Sequence, residues 1–217
     1  MTTVDWVERT GKISAATQVL FAIVSLVGFA SPNTTPLLNL LLAFDVIVQG
    51  IEFCFYVFFI YFKKLPTQYR YIDWYISTPI MLITTAMLLE YFDTQGTTNE
   101  TTIESFFGTY YNDLIFICYT NFVMLSFGLM CEYNIINNTL GVILGFLFFI
   151  PSFTVLFYKF GIKTVEGIVV TTVITLVWAM YGVAALFEYN IKNIMYNILD
   201  IISKNFFGLF ITVYLFL

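Results

Sequence analysis

The chain has 217 residues, of which 59% are hydrophobic and only 11% carry a charge. This composition excludes an ordinary soluble domain and predicts a membrane protein. Histidine is absent and the net charge is −5. We therefore expect no histidine-based catalysis, no metal site and no nucleic-acid partner, and we do not expect an enzyme.

Hydropathy predicts seven membrane-spanning helices. In chain order they cover about 12–30, 36–62, 70–91, 113–133, 139–158, 166–187 and 193–217. Most connections are short, so consecutive helices should lie side by side in antiparallel order. The fold class we expect is an all-α membrane protein, with residues 1–217 forming a single seven-helix bundle. Residues 92–112 are the exception, and their polar composition predicts a solvated loop or a short hairpin.

The last span contains a lysine that a lipid-exposed helix would not carry. Lys204 lies among apolar residues, where an ammonium group costs at least about 2.5–3.5 kcal/mol. Asp200 precedes it by one helical turn on the same face and can pair with it. Two interpretations stay open at this point. The pair is a structural salt bridge, or the lysine forms a Schiff base with an aldehyde and the aspartate is its counter-ion.

The third span supplies a second group of polar residues that should be buried. It begins Arg70-Tyr-Ile-Asp73-Trp-Tyr-Ile-Ser-Thr-Pro, which places Arg70 and Asp73 on one helical face. Arg-Tyr-x-Asp-Trp, Ser-Thr-Pro and the final-span Leu-Asp-x-x-Ser-Lys together resemble the microbial rhodopsins over nearly the whole chain. The resemblance implies all-trans retinal bound covalently to Lys204.

The resemblance also implies a role for each residue that matches the family's motifs. Asp73 and Asp200 would be the counter-ions of the protonated Schiff base, which needs nearby anions in a dry pocket. The remaining pocket residues would be Trp74, Thr78, Asn121, Met124, Gly128, Trp178 and Tyr181. Thr84 stands where the family's proton pumps carry a carboxylate, which argues against efficient pumping.

Span two carries a stripe of polar residues that pumps rarely have. Asp45, Gln49 and Glu52 recur at helical spacing, and spans one and seven carry similar stripes. Facing stripes can line a hydrated path in which carboxylates favour cations, although buried hydrogen bonding between helices is the alternative. The pattern resembles the channel-forming viral rhodopsins, which implies an ion pathway of Arg70, Ser14, Asp45, Gln49, Glu52, Asn193 and Asn197.

The sequence therefore predicts a retinal-binding photoreceptor of the viral rhodopsin branch that acts as a light-gated cation channel. Its partners would be the lipid bilayer and small cations or protons, and a homo-oligomer stays open. The first alternative is an outward light-driven proton pump in which Asp45 or Glu52 replaces the missing donor. The second alternative is a sensory rhodopsin.

The orientation of the chain in the membrane gives conflicting signals. The family resemblance implies that the N-terminus lies outside. The positive-inside rule would instead place it in the cytoplasm, because more lysine and arginine residues fall on the N-terminal side. The residues on that side are Arg9, Lys12, Lys63, Lys64 and Lys192, against Lys159 and Lys163 on the other.

Overall fold

A computed structural model describes residues 3–62, 66–96 and 101–216. The α-helices are α1 (Thr3–Gly28), α2 (Pro36–Phe62), α3 (Arg70–Thr94), α4 (Ile103–Glu132), α5 (Asn138–Lys159), α6 (Val165–Ala184), α7 (Tyr189–Asp200) and α8 (Phe206–Phe216). Short 3₁₀ turns at Thr67–Tyr69 and Gly161–Lys163 precede α3 and α6, and a π-helical turn at Ile201–Asn205 joins α7 to α8. These described residues include no strand.

Seven segments of the described chain are long and apolar enough to cross a bilayer. The seventh consists of α7, the π-helical turn and α8 together, so the lysine of the last span lies within one continuous helical segment. Large apolar side chains such as Leu26, Ile143 and Leu176 are exposed on the outside of the bundle, as expected where lipid is the solvent. The chain is a multi-pass integral membrane protein with the predicted fold class.

Several helices begin where a polar side chain caps them. Thr102 accepts a hydrogen bond from the backbone N–H of Ser105 at 3.1 Å and starts α4. Asn137 does the same for Leu140 at 2.8 Å at the start of α5. Such caps satisfy N–H groups that have no partner inside the helix, so these helix starts follow from local sequence.

The prediction of a loop at 92–112 is wrong for most of these residues. Helix α3 continues to Thr94 and α4 begins at Ile103, ahead of the predicted residue 113. Phe106, in the first turns of α4, is fully buried and its ring packs near that of Phe160. Hydropathy missed these turns because polar residues alternate with the aromatic ones. Residues 97–100 of the predicted loop lie outside the described residues.

Helix α1 also begins earlier than predicted, at Thr3 instead of Lys12. Its polar first turns pack against α7, where Asn197 Nδ2 donates to Thr10 Oγ1 at 2.8 Å and to the Val7 carbonyl at 3.2 Å. The boundary predicted from hydropathy marks where the apolar composition starts. The helix itself begins further towards the N-terminus, where its polar first turns form hydrogen bonds with α7.

Candidate functional site

Lys204 lies at the centre of a buried group of carboxylates. The residue is 2% exposed, and its Nζ is 2.5 Å from Glu52 Oε1, 3.2 Å from Asp73 Oδ2 and 3.6 Å from Asp200 Oδ1. The structure thus brings both predicted counter-ions to the lysine. It also brings Glu52, which the sequence assigned to the ion pathway. Helix α2 therefore contributes directly to the surroundings of Lys204.

Arg70 closes the group on the side of the α2–α3 connection. Its guanidinium donates to Asp200 Oδ2 at 3.3 Å, to Asn193 Oδ1 at 3.0 Å and to the Tyr56 hydroxyl at 3.2 Å, and it also donates to Asn197 Oδ1. Both asparagines of the predicted pathway therefore bind the arginine. These hydrogen bonds hold the guanidinium between α2, α3 and α7.

The charges of the buried group do not balance. Glu52, Asp73 and Asp200 supply three carboxyl groups, and Lys204 and Arg70 supply two cations, all of them buried. An unbalanced charge in the interior is strongly unfavourable. The group therefore requires one further proton or one further cation when Lys204 and Arg70 are charged.

An apolar cavity lies beside Lys204. Its empty space, counted together with the open space at its mouth, is about 830 Å³. Six of the predicted pocket residues line it, namely Trp74, Thr78, Met124, Gly128, Trp178 and Tyr181. Asn121 lies behind this wall and donates from Nδ2 to Thr78 Oγ1 at 2.7 Å. Asn121 therefore contacts the cavity lining through Thr78.

Glycines widen the cavity. A Cβ added at Gly182 would lie 2.7 Å from Phe146 Cε2, and one at Gly128 would lie 2.5 Å from the Tyr71 hydroxyl. Gly141 and Gly145 of α5 also line the space. The cavity is thus an apolar compartment with an amine among carboxylates in its wall, which fits an apolar aldehyde attached to Lys204.

A second buried feature runs along the interface of α1, α2 and the last span. We call it the polar seam and define it by Ser14, Gln18, Ser25, Asp45, Gln49, Glu52, Asn193, Asn197, Asp200, Lys204 and Asn205, all of them buried. Gln18 Nε2 donates to Glu52 Oε2 at 2.7 Å. Ser25 Oγ and Gln49 Nε2 donate to Asp45 Oδ2 at 2.7 and 2.8 Å. The predicted pathway residues therefore lie on helices that face each other.

Many polar atoms of the seam lack a partner. Ser14 Oγ, Gln18 Oε1, Gln49 Oε1 and both amide atoms of Asn205 are buried without a hydrogen bond to any described residue. Leaving such a group unpaired costs about 1–3 kcal/mol, and buried polar groups of this kind are usually satisfied by internal water. The sequence analysis did not include Asn205 in the site, although an asparagine directly after Lys204 in an apolar segment indicates a buried polar residue.

A family model described as "Bacteriorhodopsin-like protein" matches residues 9–217. The chain belongs to this family. The microbial rhodopsin assignment made from the motifs is thereby confirmed, and members of the family are retinal-binding photoreceptors, pumps or channels and not enzymes. The search of the curated proteins gives no match for the sequence.

Solved rhodopsin structures share the fold of this microbial rhodopsin. Viral rhodopsin OLPVRII has 24% sequence identity and a TM-score of 0.82, with 96% of each chain covered. The rhodopsin of Exiguobacterium sibiricum has 17% identity and a TM-score of 0.76, covering 99% of this chain and 96% of its own. Halorhodopsin, described as a light-driven chloride pump, has 12% identity and a TM-score of 0.73, covering 96% of this chain and 94% of its own.

Proposed function

We propose that this microbial rhodopsin is a light-gated cation channel of the viral branch, with all-trans retinal bound covalently to Lys204. Lys204 is the lysine that lines the apolar cavity, and the cavity walls include Trp74, Trp178 and Tyr181. Retinal would supply light absorption and a light-driven change of shape. The observed cavity and amine fit this group.

The carboxylates of the site hold the proton on the Lys204 nitrogen. Asp73 and Asp200 lie on the third and seventh spans, and Glu52 approaches from α2, so the nitrogen is surrounded from three directions. Nearby anions keep a buried cationic nitrogen protonated. Trp74 of α3 and Trp178 of α6 line the cavity, and their rings would restrict the shapes that a bound chromophore can adopt.

The observation that carries the channel proposal is the row of unpaired polar atoms in the polar seam. Gln18 of α1, Gln49 of α2 and Asn205 of the last span each have buried amide atoms that need water, and Gln18 also donates to the Glu52 carboxylate. A string of such groups supports a file of water through the bundle. Asp45 and Glu52 make that file negative, which favours cations over anions.

We infer that one closure of the dark state lies at the level of Arg70. The guanidinium is bound to Asp200, Asn193, Asn197 and Tyr56, and these hydrogen bonds would have to loosen before an ion could pass. A shift of Lys204 changes the position of Asp200, one turn away, and thereby weakens the hold on Arg70. We place the N-terminus of α1 outside the cell, as the family resemblance implies.

An outward proton pump is the second candidate, and one contact favours it. Glu52 Oε1 is 2.5 Å from Lys204 Nζ, which is close enough for a carboxyl group to take or return a proton. The two functions differ in their source of energy. A passive path conducts in either direction according to the electrochemical gradient, whereas a pump moves charge in one direction at ordinary voltages.

Voltage-clamp recording of light-evoked current separates these functions. We expect a photocurrent that reverses, at a voltage that shifts with the cation composition of the bath. Glu52→Gln should change its size or selectivity while the pigment still forms, and Glu8→Gln, at an exposed position, serves as the matched control. A strictly outward current that never reverses and persists without gradients would establish the pump instead.

A further inference from the structure

The polar seam ends at Asp45. The inward face of α2 carries polar residues from Tyr56 to Asp45 and continues at the same helical spacing with Leu42 and Leu38. The same face of one helix therefore changes from hydrogen-bonding to purely apolar within a single turn.

The last span changes character at the same level. Gly208 of α8 packs directly against the carboxylate, since a Cβ added there would lie 3.0 Å from Asp45 Cγ and 2.6 Å from Ser25 Oγ. The next buried apolar residues along α8 are Ile211 and Leu215, one turn apart on one face, whereas the buried Thr212 donates to the Val24 carbonyl of α1 at 3.4 Å. The inward face of α2 and the Ile211–Leu215 face of α8 thus turn apolar together, just beyond Asp45.

We call Leu38, Leu42, Ile211 and Leu215 the apolar layer. The four side chains belong to one hydrophobic cluster and are 1%, 0%, 1% and 1% exposed. Their side chains contain no polar atom, and apolar space of this kind stays dry. An ion that reaches Asp45 along the seam therefore meets four side chains that offer it no ligand.

Helix α1 and its following turn complete the closure. A Cβ at Gly28 would lie 3.0 Å from Leu42 Cδ1, so α1 and α2 are in close contact here. Ser31 Oγ and Asn33 Nδ2 donate to the Leu215 carbonyl at 2.5 and 3.0 Å, which ties the α1–α2 turn onto the end of α8. This end of the bundle is closed by packing and by hydrogen bonds across it.

We propose that the apolar layer is the gate of the conduction path at the α1–α2 end, and that it opens by taking up water under illumination. Hydrophobic constrictions block ions because dehydrating the ion is unfavourable, and a small widening that admits water removes the block. The inference rests on one part of the proposed function, namely that the path conducts ions passively. It adds a second closure, at the opposite end of the polar seam from Arg70, and gives its physical type.

The chain provides a mechanical link between the chromophore site and the gate. Ile211 and Leu215 lie on the helical segment that carries Lys204, beyond the end of the π-helical turn and the Gly208 contact. A displacement of Lys204 along this segment moves two of the four layer residues relative to α2. Asp45, held by Ser25 and Gln49 at the edge of the layer, supplies the polar surface from which water can enter.

Cysteine accessibility tests the gate without relying on current. Leu42→Cys is introduced after replacing Cys54, Cys118 and Cys131, and the purified pigment is treated with a cationic methanethiosulfonate reagent in darkness and in light. Because the layer is dry in the dark, we expect labelling to accelerate by about tenfold or more under illumination, equivalent to about 1.4 kcal/mol of opening free energy. Leu26→Cys, at a leucine of α1 that is 54% exposed toward lipid, should show no light dependence.

Equal labelling of Leu42→Cys in darkness and light, with the pigment intact, would overturn the gate. Ile211→Cys repeats the test on α8 in case the α2 variant does not fold. In recordings, Leu42→Ser should add a dark leak or slow the closing of the photocurrent, whereas Leu26→Ser should behave as the unmodified protein. An unchanged leak and closing rate in Leu42→Ser would also count against the gate.

Failure of the proposed function gives a different result from failure of the gate. If the unmodified protein produces only an outward current that never reverses, the channel proposal is wrong. The labelling experiment then still decides whether the apolar layer hydrates in light. If the current reverses but neither Leu42→Cys nor Ile211→Cys gains reactivity, the channel stands and the gate lies elsewhere.

Discussion

Asp200→Asn should destabilise the protein far more than Glu52→Gln, although both carboxylates are fully buried. Asp200 accepts hydrogen bonds from the hydroxyls of Tyr56 at 2.6 Å and Tyr181 at 2.8 Å, and it pairs with Arg70 at 3.3 Å. Neutralising it leaves the buried guanidinium without a carboxylate. Neutralising Glu52 instead removes the excess negative charge of the group.

The expected magnitudes follow from these contacts. Two unit charges 3.3 Å apart attract by about 5 kcal/mol at an effective dielectric constant of about 20. Breaking a buried pair costs about 3–5 kcal/mol, and each kcal/mol lowers the melting temperature by about 2–4 °C in a chain of this size. Asp200→Asn should therefore melt about 6–20 °C lower. Glu52→Gln keeps an acceptor for Gln18, so its change should stay within about 1 kcal/mol.

The assay is thermal unfolding of the purified protein in detergent at pH 7, before and after addition of all-trans retinal. Measuring the retinal-free protein separates the stability of the charged group from any effect of the chromophore. If Glu52→Gln loses as much stability as Asp200→Asn, then the excess-charge reasoning is wrong and all three carboxylates contribute equally.

Three further predictions concern the pigment and the pathway. Lys204→Ala should stay colourless when all-trans retinal is added, whereas the control Lys12→Ala, at an exposed position, should form pigment. A coloured adduct of Lys204→Ala that survives acid denaturation would contradict the attachment site. Asp73→Asn removes one of the anions near the Lys204 nitrogen. The absorption of this variant should shift to the red, or the variant should lose its colour at a lower pH than the unmodified protein. An unchanged spectrum and an unchanged pH titration would argue against the counter-ion role. Gly208→Ala places a methyl group 3.0 Å from Asp45 Cγ, where it would crowd the carboxylate. The photocurrent measured by voltage clamp should therefore fall several-fold, while visible absorption is retained. An unchanged photocurrent would show that Asp45 does not line the path.

Spacing within a single helix was readable from the sequence. Asp200 and Lys204 are one turn apart, and Asp73 follows Arg70 by one turn, because helical periodicity fixes which residues of one span share a face. The same rule grouped Asp45, Gln49 and Glu52. Apolar length fixed the number of spans, since lipid requires every spanning segment to satisfy its own backbone hydrogen bonds.

Contacts between helices were decided only by the tertiary structure. Glu52 lies at the Lys204 nitrogen because α2 is rotated so that its polar face meets the last span, and no periodicity within α2 specifies that rotation. The unpaired amide of Asn205 and the apolar layer beyond Asp45 depend on the same packing. Residues 103–112 belong to α4 because Thr102 caps it and Phe106 is buried near Phe160, a contact distant in sequence. Local sequence determines which face of a helix is polar, and packing between helices determines what that face touches.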